Sequence, residues 1–212
     1  MAKRGRKSIA DERRAQILDA FHVCAVRRGL ENASLREVAE EAGLPVSNLH
    51  HFFKNRDEMV SELVTQIIGG IIADLGSELR EESDPDRRFT KSIDFLFSPK
   101  SQKLEDGSLY YDFWSLAHRS TTVRSTFREQ VRRQRLVIVD TLTKTPELAG
   151  LSRADMHEIA NILIALVEGT FYILDMDGEN VFPARMARLI RRFLELYAEE
   201  KMRGKKKKDI AP

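Results

Sequence analysis

The sequence predicts an all-α protein of about nine helices, because apolar residues recurring at helical spacing dominate it and turn-forming residues are sparse. Six prolines and eleven glycines in 212 residues are too few for a loop-rich β protein. With 42% apolar residues, the chain is long enough for one small domain and a second with a sizeable core.

The first helix is expected from about Asp11 to Arg28, turning Ile17, Phe21, Cys24 and Ala25 inward and stopping at Gly29. Cys24 is the single cysteine, so no intramolecular disulfide forms; its phase reads as core, with redox sensing as the alternative. Leu35, Val38, Ala39 and Ala42 then fall at i, i+3, i+4 and i+7, one face of a short helix. Ser34 stands at its N-cap with Glu37 three residues on, a capping box, and Gly43 stands where a left-handed backbone stops the helix. Leu44 and Pro45 complete the turn into a second short helix, Val46 to Phe53. Leu49 and at least one of Phe52 and Phe53 face inward, while Val46, Ser47, Asn48, His50 and His51 face out.

A longer helix opens near Asn55 to Glu58 and carries Met59, Leu63, Ile67, Ile71, Leu75 and Leu79 at i+4 spacing until Ser83-Asp84-Pro85-Asp86 breaks it. A short helix with Phe89, Ile93, Leu96 and Phe97 follows, then a loop bracketed by Pro99 and Gly107. Next come an aromatic segment from Leu109 to His118, a helix from about Thr122 to Lys144 and a turn from Pro146 to Ser152. Two final helices, about Arg153 to Asp175 and Phe182 to Met202, are split by D-M-D-G-E-N.

Charge is unevenly placed. Residues 1–56 carry eleven Lys or Arg against seven Asp or Glu, and residues 201–212 carry six against one, so with a net charge of +2 the middle holds −7. Basic ends on an acidic body suit a head that seeks phosphate and is oriented by repulsion of the wrong face. Lys3, Arg4, Arg6 and Lys7, with Gly5 keeping the backbone flexible, are placed to lie along a phosphate strand or enter a minor groove. The run Lys205 to Lys208 reads instead as a solvated, disordered tail.

Two short helices hinged at a glycine, the second with a wet and chemically varied face, suit insertion into a major groove. The frame A-G-L-P-V-S-N-L-H-H-F-F-K-N-R-D-E-M resembles the helix-turn-helix signature of TetR-type bacterial transcription regulators, over roughly residues 8 to 60. The sequence departs from that pattern at Pro45, His50, Phe52 and Arg56, so the resemblance implies a docking mode rather than an operator sequence. Ser47 and Asn48 are expected to meet bases, and Ser34, Arg36, His50, His51 and Arg56 mostly phosphate. Pro45, Val46 and Lys54 complete the expected interface.

The remainder resembles the C-terminal domain of TetR-type regulators, specifically the betaine-regulator-like class, through Y-Y-D-F-W-S-L-A-H-R and I-L-I-A-L-V-E-G-T-F. That likeness implies dimerisation through the last two helices and an effector held between the inner ones. The apolar stripes support the dimer independently: Met156, Ile159, Ala160, Leu163 and Val167 on one helix, and Met186, Leu189, Ile190, Phe193 and Tyr197, with Phe182, on the next. Tyr110, Phe113, Trp114, His118, Phe171 and Tyr172 lie on the two segments that the resemblance sets beside the cavity. With Glu168 and His118 as polar groups, such a wall suits an apolar or aromatic effector, or a cationic one through Trp and Tyr faces; plain core is the competing reading.

Enzyme chemistry is not expected. The five histidines form no metal-spaced cluster, and there is no nucleophile elbow, P-loop or dinucleotide fingerprint. No cofactor or metal is expected. No run reaches the ~18 apolar residues of a membrane span, and M-A-K-R-G-R-K lacks the apolar region of a secretory signal, so a cytoplasmic protein is expected. The expected organisation is a DNA-binding head at 1–56 with its basic arm, an effector-binding and dimerisation domain at 57–202 and a tail at 203–212. The expected function is a homodimeric, ligand-responsive repressor on a near-palindromic operator, its reading helices spaced by about 34 to 36 Å. The alternative is a constitutive architectural or scaffold dimer, which a small molecule would not affect.

Overall fold

The computed structural model describes residues 9–102, 107–176 and 183–209, and among these it holds ten α-helices, one 3-10 turn and no strand. In order they are α1 (Ile9–Arg28), α2 (Leu35–Ala42), α3 (Val46–Phe52), α4 (Arg56–Glu78), α5 (Pro85–Leu96), α6 (Pro99–Gln102), α7 (Gly107–Ala117), α8 (Thr121–Thr143), α9 (Arg153–Met176) and α10 (Pro183–Asp209). The one-turn α6 occupies a stretch read as loop, which accounts for the extra helix.

Helix boundaries follow the local chemistry. Asp84 caps α5 by accepting the Arg87 N–H at 2.9 Å, and Pro85 takes the first helical position, where a missing N–H costs nothing. At the other end of the same turn, the Arg88 guanidinium donates to the Leu79 and Glu82 carbonyls, closing the C-terminus of α4. Ser152 and Asp155 form a second capping box at the start of α9. Helix α10 continues through Asp209, so the lysine run is helical where a disordered tail was expected. Lysine is a good helix former, and cations at a helix C-terminus complement its dipole.

Packing divides the chain into two compact units, Met1–Gly69 with Leu104–Gln130, and Gly70–Lys103 with Val131–Pro212. This differs from a division at residue 56. In the first unit Ile17, Phe21, Leu30, Val38, Leu49 and Phe53 are buried, and so are Met59, Leu63, Leu109, Phe113 and Val123. The start of α4, all of α7 and the start of α8 therefore belong with the N-terminal helices. The second unit is built on Phe89, Ile93, Leu96 and Phe97 of α5, Ile138, Val139 and Leu142 of α8, and the inner faces of α9 and α10. Leu75 of α4 and Leu79, one residue past its end, close on Phe95 beside it. The six-residue stripe expected on α4 is inward throughout, with Ile71 half-buried.

By length and composition alone, α4 and α9 are long and apolar enough to cross a membrane, which corrects the expectation that no segment is. Both contribute core residues to the units just described.

Candidate functional site

Helix α2 is held at both ends by local chemistry. The Ser34 hydroxyl accepts the Glu37 N–H at 3.2 Å, and Glu37 accepts the Ser34 N–H at 3.1 Å. These bonds from Ser34, with Arg28 nearby, hold the Glu37 carboxyl below its ordinary range. At the far end Gly43 has φ 64 and donates its N–H to Ala39 and Glu40, a left-handed stop that favours glycine. Helix α3 then starts at Pro45, which offers no side-chain cap.

The second helix presents the face the sequence predicted. Leu49 and Phe53 are buried anchors, whereas Pro45, Val46, Ser47, His50, His51 and Lys54 are exposed and Asn48 is half-buried. Arg36 projects from α2 in an exposed pair with Glu40 at 3.1 Å. Ser34 is exposed, but its hydroxyl donates to Glu37 at 2.9 Å, so it is already engaged in the cap rather than free for a phosphate. Lys3, Arg4, Arg6 and Lys7 lie outside the described residues.

Arg56 requires a correction. Its guanidinium donates to the Ala33 carbonyl at 2.6 Å and to the Leu30 carbonyl, and it lies over the Phe21 ring at 5.7 Å. It therefore points into the head and ties the first turn of α4 to the α1–α2 turn, instead of reaching DNA. A planar group with several donors is suited to bridging two carbonyls in this way. Arg14 has a parallel role that the sequence reading missed. It donates to the Phe52 carbonyl, pairs with Glu58 and Glu62, and stacks on Phe53 at 4.3 Å. These carboxylates raise its pKa further. The available signal was Glu58 and Glu62 at i and i+4, facing an arginine on the first helix.

The expected effector residues are divided between the units. In the first, Tyr110 is half-buried, with its ring 5.4 Å from Phe127, and Phe113 is fully buried core. Trp114 is 55% exposed and meets His118 edge-on at 4.6 Å. In the second, Phe171 is core, Glu168 is half-buried and Tyr172 is exposed. Phe113 and Phe171 are thus used in packing, since a large apolar ring gains most where water is fully excluded. Among the described residues of the first unit, Ser61 Oγ and Gln130 Oε1 are buried polar atoms with no hydrogen-bond partner. Gln130 is 3% exposed and donates through Nε2 to Thr65 at 3.4 Å.

The expected dimer stripe is also corrected. Met156, Ile159, Ala160, Leu163, Val167 and Ile190 are buried in the second unit's own core, with Met186 and Tyr197 packed against it. Leu189 and Phe193 of that stripe are exposed. Among the described residues, large apolar side chains left outward include Ile162, Ile173 and Met176 on α9 and Leu189, Phe193 and Leu196 on α10. Cys24 is buried, and desolvation pushes its thiol pKa up, opposite to what a redox sensor needs. Among the described residues no group of His, Cys, Asp and Glu is placed to hold a metal.

Comparison with known proteins accords with this geometry. A family described as the C-terminal domain of tetracyclin-repressor-like proteins matches residues 85–194, and one described as bacterial regulatory proteins of the tetR family matches residues 17–63. The chain is 25% identical over 175 residues to the HTH-type transcriptional regulator BetI of Brucella suis, covering 82% of this chain and 85% of the relative. A putative transcriptional regulator from Pseudomonas aeruginosa PAO1 shares the fold with a TM-score of 0.78 at 20% identity, covering 93% of this chain and 95% of that one. Another from Saccharomonospora viridis, solved in complex with choline, has a TM-score of 0.72 at 19% identity, covering 87% and 96%.

Proposed function

Since the chain belongs to the TetR family of bacterial regulatory proteins and is a DNA-binding transcription regulator, we propose that it is a cytoplasmic repressor that leaves a near-palindromic operator when a small molecule binds. The observation that carries the reading is the outward face of α3, where Ser47, His50 and His51 are exposed and Asn48 half-buried, while Leu49 and Phe53 fix the helix from beneath. Such side chains on a rigid helix meet base edges in a major groove. Two heads are needed for a palindrome, and the outward apolar residues of α9 and α10 are the surface on which a second copy seats. The unpartnered Ser61 and Gln130 atoms support an effector in the first unit, because native interiors rarely leave such groups unpaired. With Tyr110 and Phe127 in ring contact in that unit, a small molecule with an apolar or cationic body and one hydrogen-bond donor suits it.

Selection of duplexes from a random library, followed by binding titration, tests the reading. A preferred near-palindromic site is expected, and Asn48→Ala should weaken it by ~1–3 kcal/mol and relax one base pair. Choline, the compound held by the Saccharomonospora viridis neighbour, is the first effector to titrate against the complex. Phe193→Glu should abolish dimer and operator binding together, since it sets two like charges across a symmetric interface. A protein that prefers no duplex over random DNA would refute the reading.

A further inference from the structure

Helix α7 is bonded directly to the DNA-reading head, at the same turn that Arg56 grips. Asp112 of α7 accepts the Leu30 N–H at 2.9 Å, while the Leu30 carbonyl accepts from Arg56. The backbone of one residue in the α1–α2 turn is therefore held on both sides, its N–H by α7 and its carbonyl by the first residue of α4. The turn itself is tightly specified. Gly29 has φ 82, and its carbonyl accepts the N–H groups of Asn32 and Ala33, each at 3.2 Å. Whatever moves Leu30 resets the angle at which α2, and with it α3, leaves α1.

A second bond lies at the corner between α7 and α8. Ser120 caps α8, accepting the Val123 N–H at 3.3 Å, and its hydroxyl donates to Asp57 at 2.6 Å in the first turn of α4. Arg119 pairs with Glu31 on the outside, where solvent leaves little net energy. The two inner bonds differ from that pair. Leu30 is 1% exposed, so withdrawing Asp112 leaves a buried donor without its acceptor.

We infer that Asp112 and Ser120 are positioning residues that couple α7 to the reading head, so that a displacement of α7 reaches α2 and α3 through the α1–α2 turn. This rests on the DNA-binding reading above. Coupling between two sites is reciprocal, so operator binding at the head must also bias α7. Trp114, the only tryptophan, stands two residues beyond Asp112 on that helix, half-exposed and edge-on to His118, and reports on it directly.

The test uses the full-length protein and an operator duplex selected by it from a random library. Binding is followed by anisotropy of the labelled duplex and, separately, by Trp114 emission. In the wild type the emission is expected to change with the same midpoint as the anisotropy. Asp112→Ala is expected to keep binding DNA and to lose the emission change, whereas Asp112→Asn, which keeps a carbonyl acceptor, retains it. Ser120→Ala removes the other bond, gives the same loss, and serves if Asp112→Ala does not fold. A silent Trp114 in the wild type, or a wild-type emission change in either alanine variant, overturns the coupling while leaving the DNA-binding reading intact. If no duplex is selected, that reading fails first and the coupling falls with it.

Discussion

Helices α2 and α3 lie one turn apart and are held by opposite means. α2 is defined by its own sequence, with reciprocal side-chain bonds at one end and a left-handed glycine at the other. α3 has seven residues and begins at a proline without a side-chain cap, and Arg14 reaches from α1 to the Phe52 carbonyl at its end. A helix this short is not stable by local propensity. Its position is supplied by Leu49 and Phe53 beneath it and by Arg14 of α1. The contrast fits the proposed reading, in which α3 leaves its outer face to DNA, while α2 ends on its own caps and takes further bonds from Gln16 and Arg28 of α1.

The contrast can be broken at several points. Arg56→Ala should have the largest effect, because the Leu30 and Ala33 carbonyls lose a charged donor; a loss of roughly 2–4 kcal/mol is expected in chemical denaturation, with operator binding lost for every sequence. A stable variant with only a flatter salt dependence would return Arg56 to the phosphate contacts. Gly43→Ala meets no atom within 4 Å, so its cost is conformational, about 1–2 kcal/mol, and should appear as a lowered denaturation midpoint. Ser34→Ala removes the cap of α2 and should cost about 1 kcal/mol in the same measurement.

Acid separates the two helices without mutation. The Glu37 carboxyl is held below its ordinary value of 4.5, so the stability it adds is present above that pH and is lost as pH falls through its folded pKa. Amide exchange in α2 should rise in that range, and Ser34→Ala should reduce the effect, since Ser34 is its main cause. The smallest change expected is from Pro45→Ser. A new capping hydroxyl gains ~0.5–1 kcal/mol, while the loss of proline's rigidity in the unfolded chain removes a similar amount. A gain well above that would mean that α3 is limited by its missing cap rather than by its anchors.

Much of this was legible in the sequence because it depends on neighbours a few residues apart. The capping box at Ser34 and Glu37, the stop at Gly43, the break before α5 and the six-residue stripe on α4 are all consequences of helical spacing. So are the outward side chains of α3, since Leu49 fixes the phase of the rest. Spacing also placed apolar stripes on α9 and α10, but a stripe alone does not say which side meets the monomer's core. Packing used Met156, Ile159, Leu163 and Val167 inside and left Ile162, Ile173 and Met176 outside. Both sides of the helix are apolar, and the choice between them is made by what the other elements of the unit, α5, α8 and α10, bring against it.

The amino-acid sequence by itself determined an all-helical chain, its punctuation and the reading face, because each rests on backbone geometry repeated every 3.6 residues. Only the tertiary structure decided that Arg56 and Arg14 face inward, that α7 packs with the head and that Phe113 is core while Trp114 is not. Those outcomes turn on which distant carbonyl, carboxylate or apolar surface a side chain meets after folding, and local spacing carries no record of it.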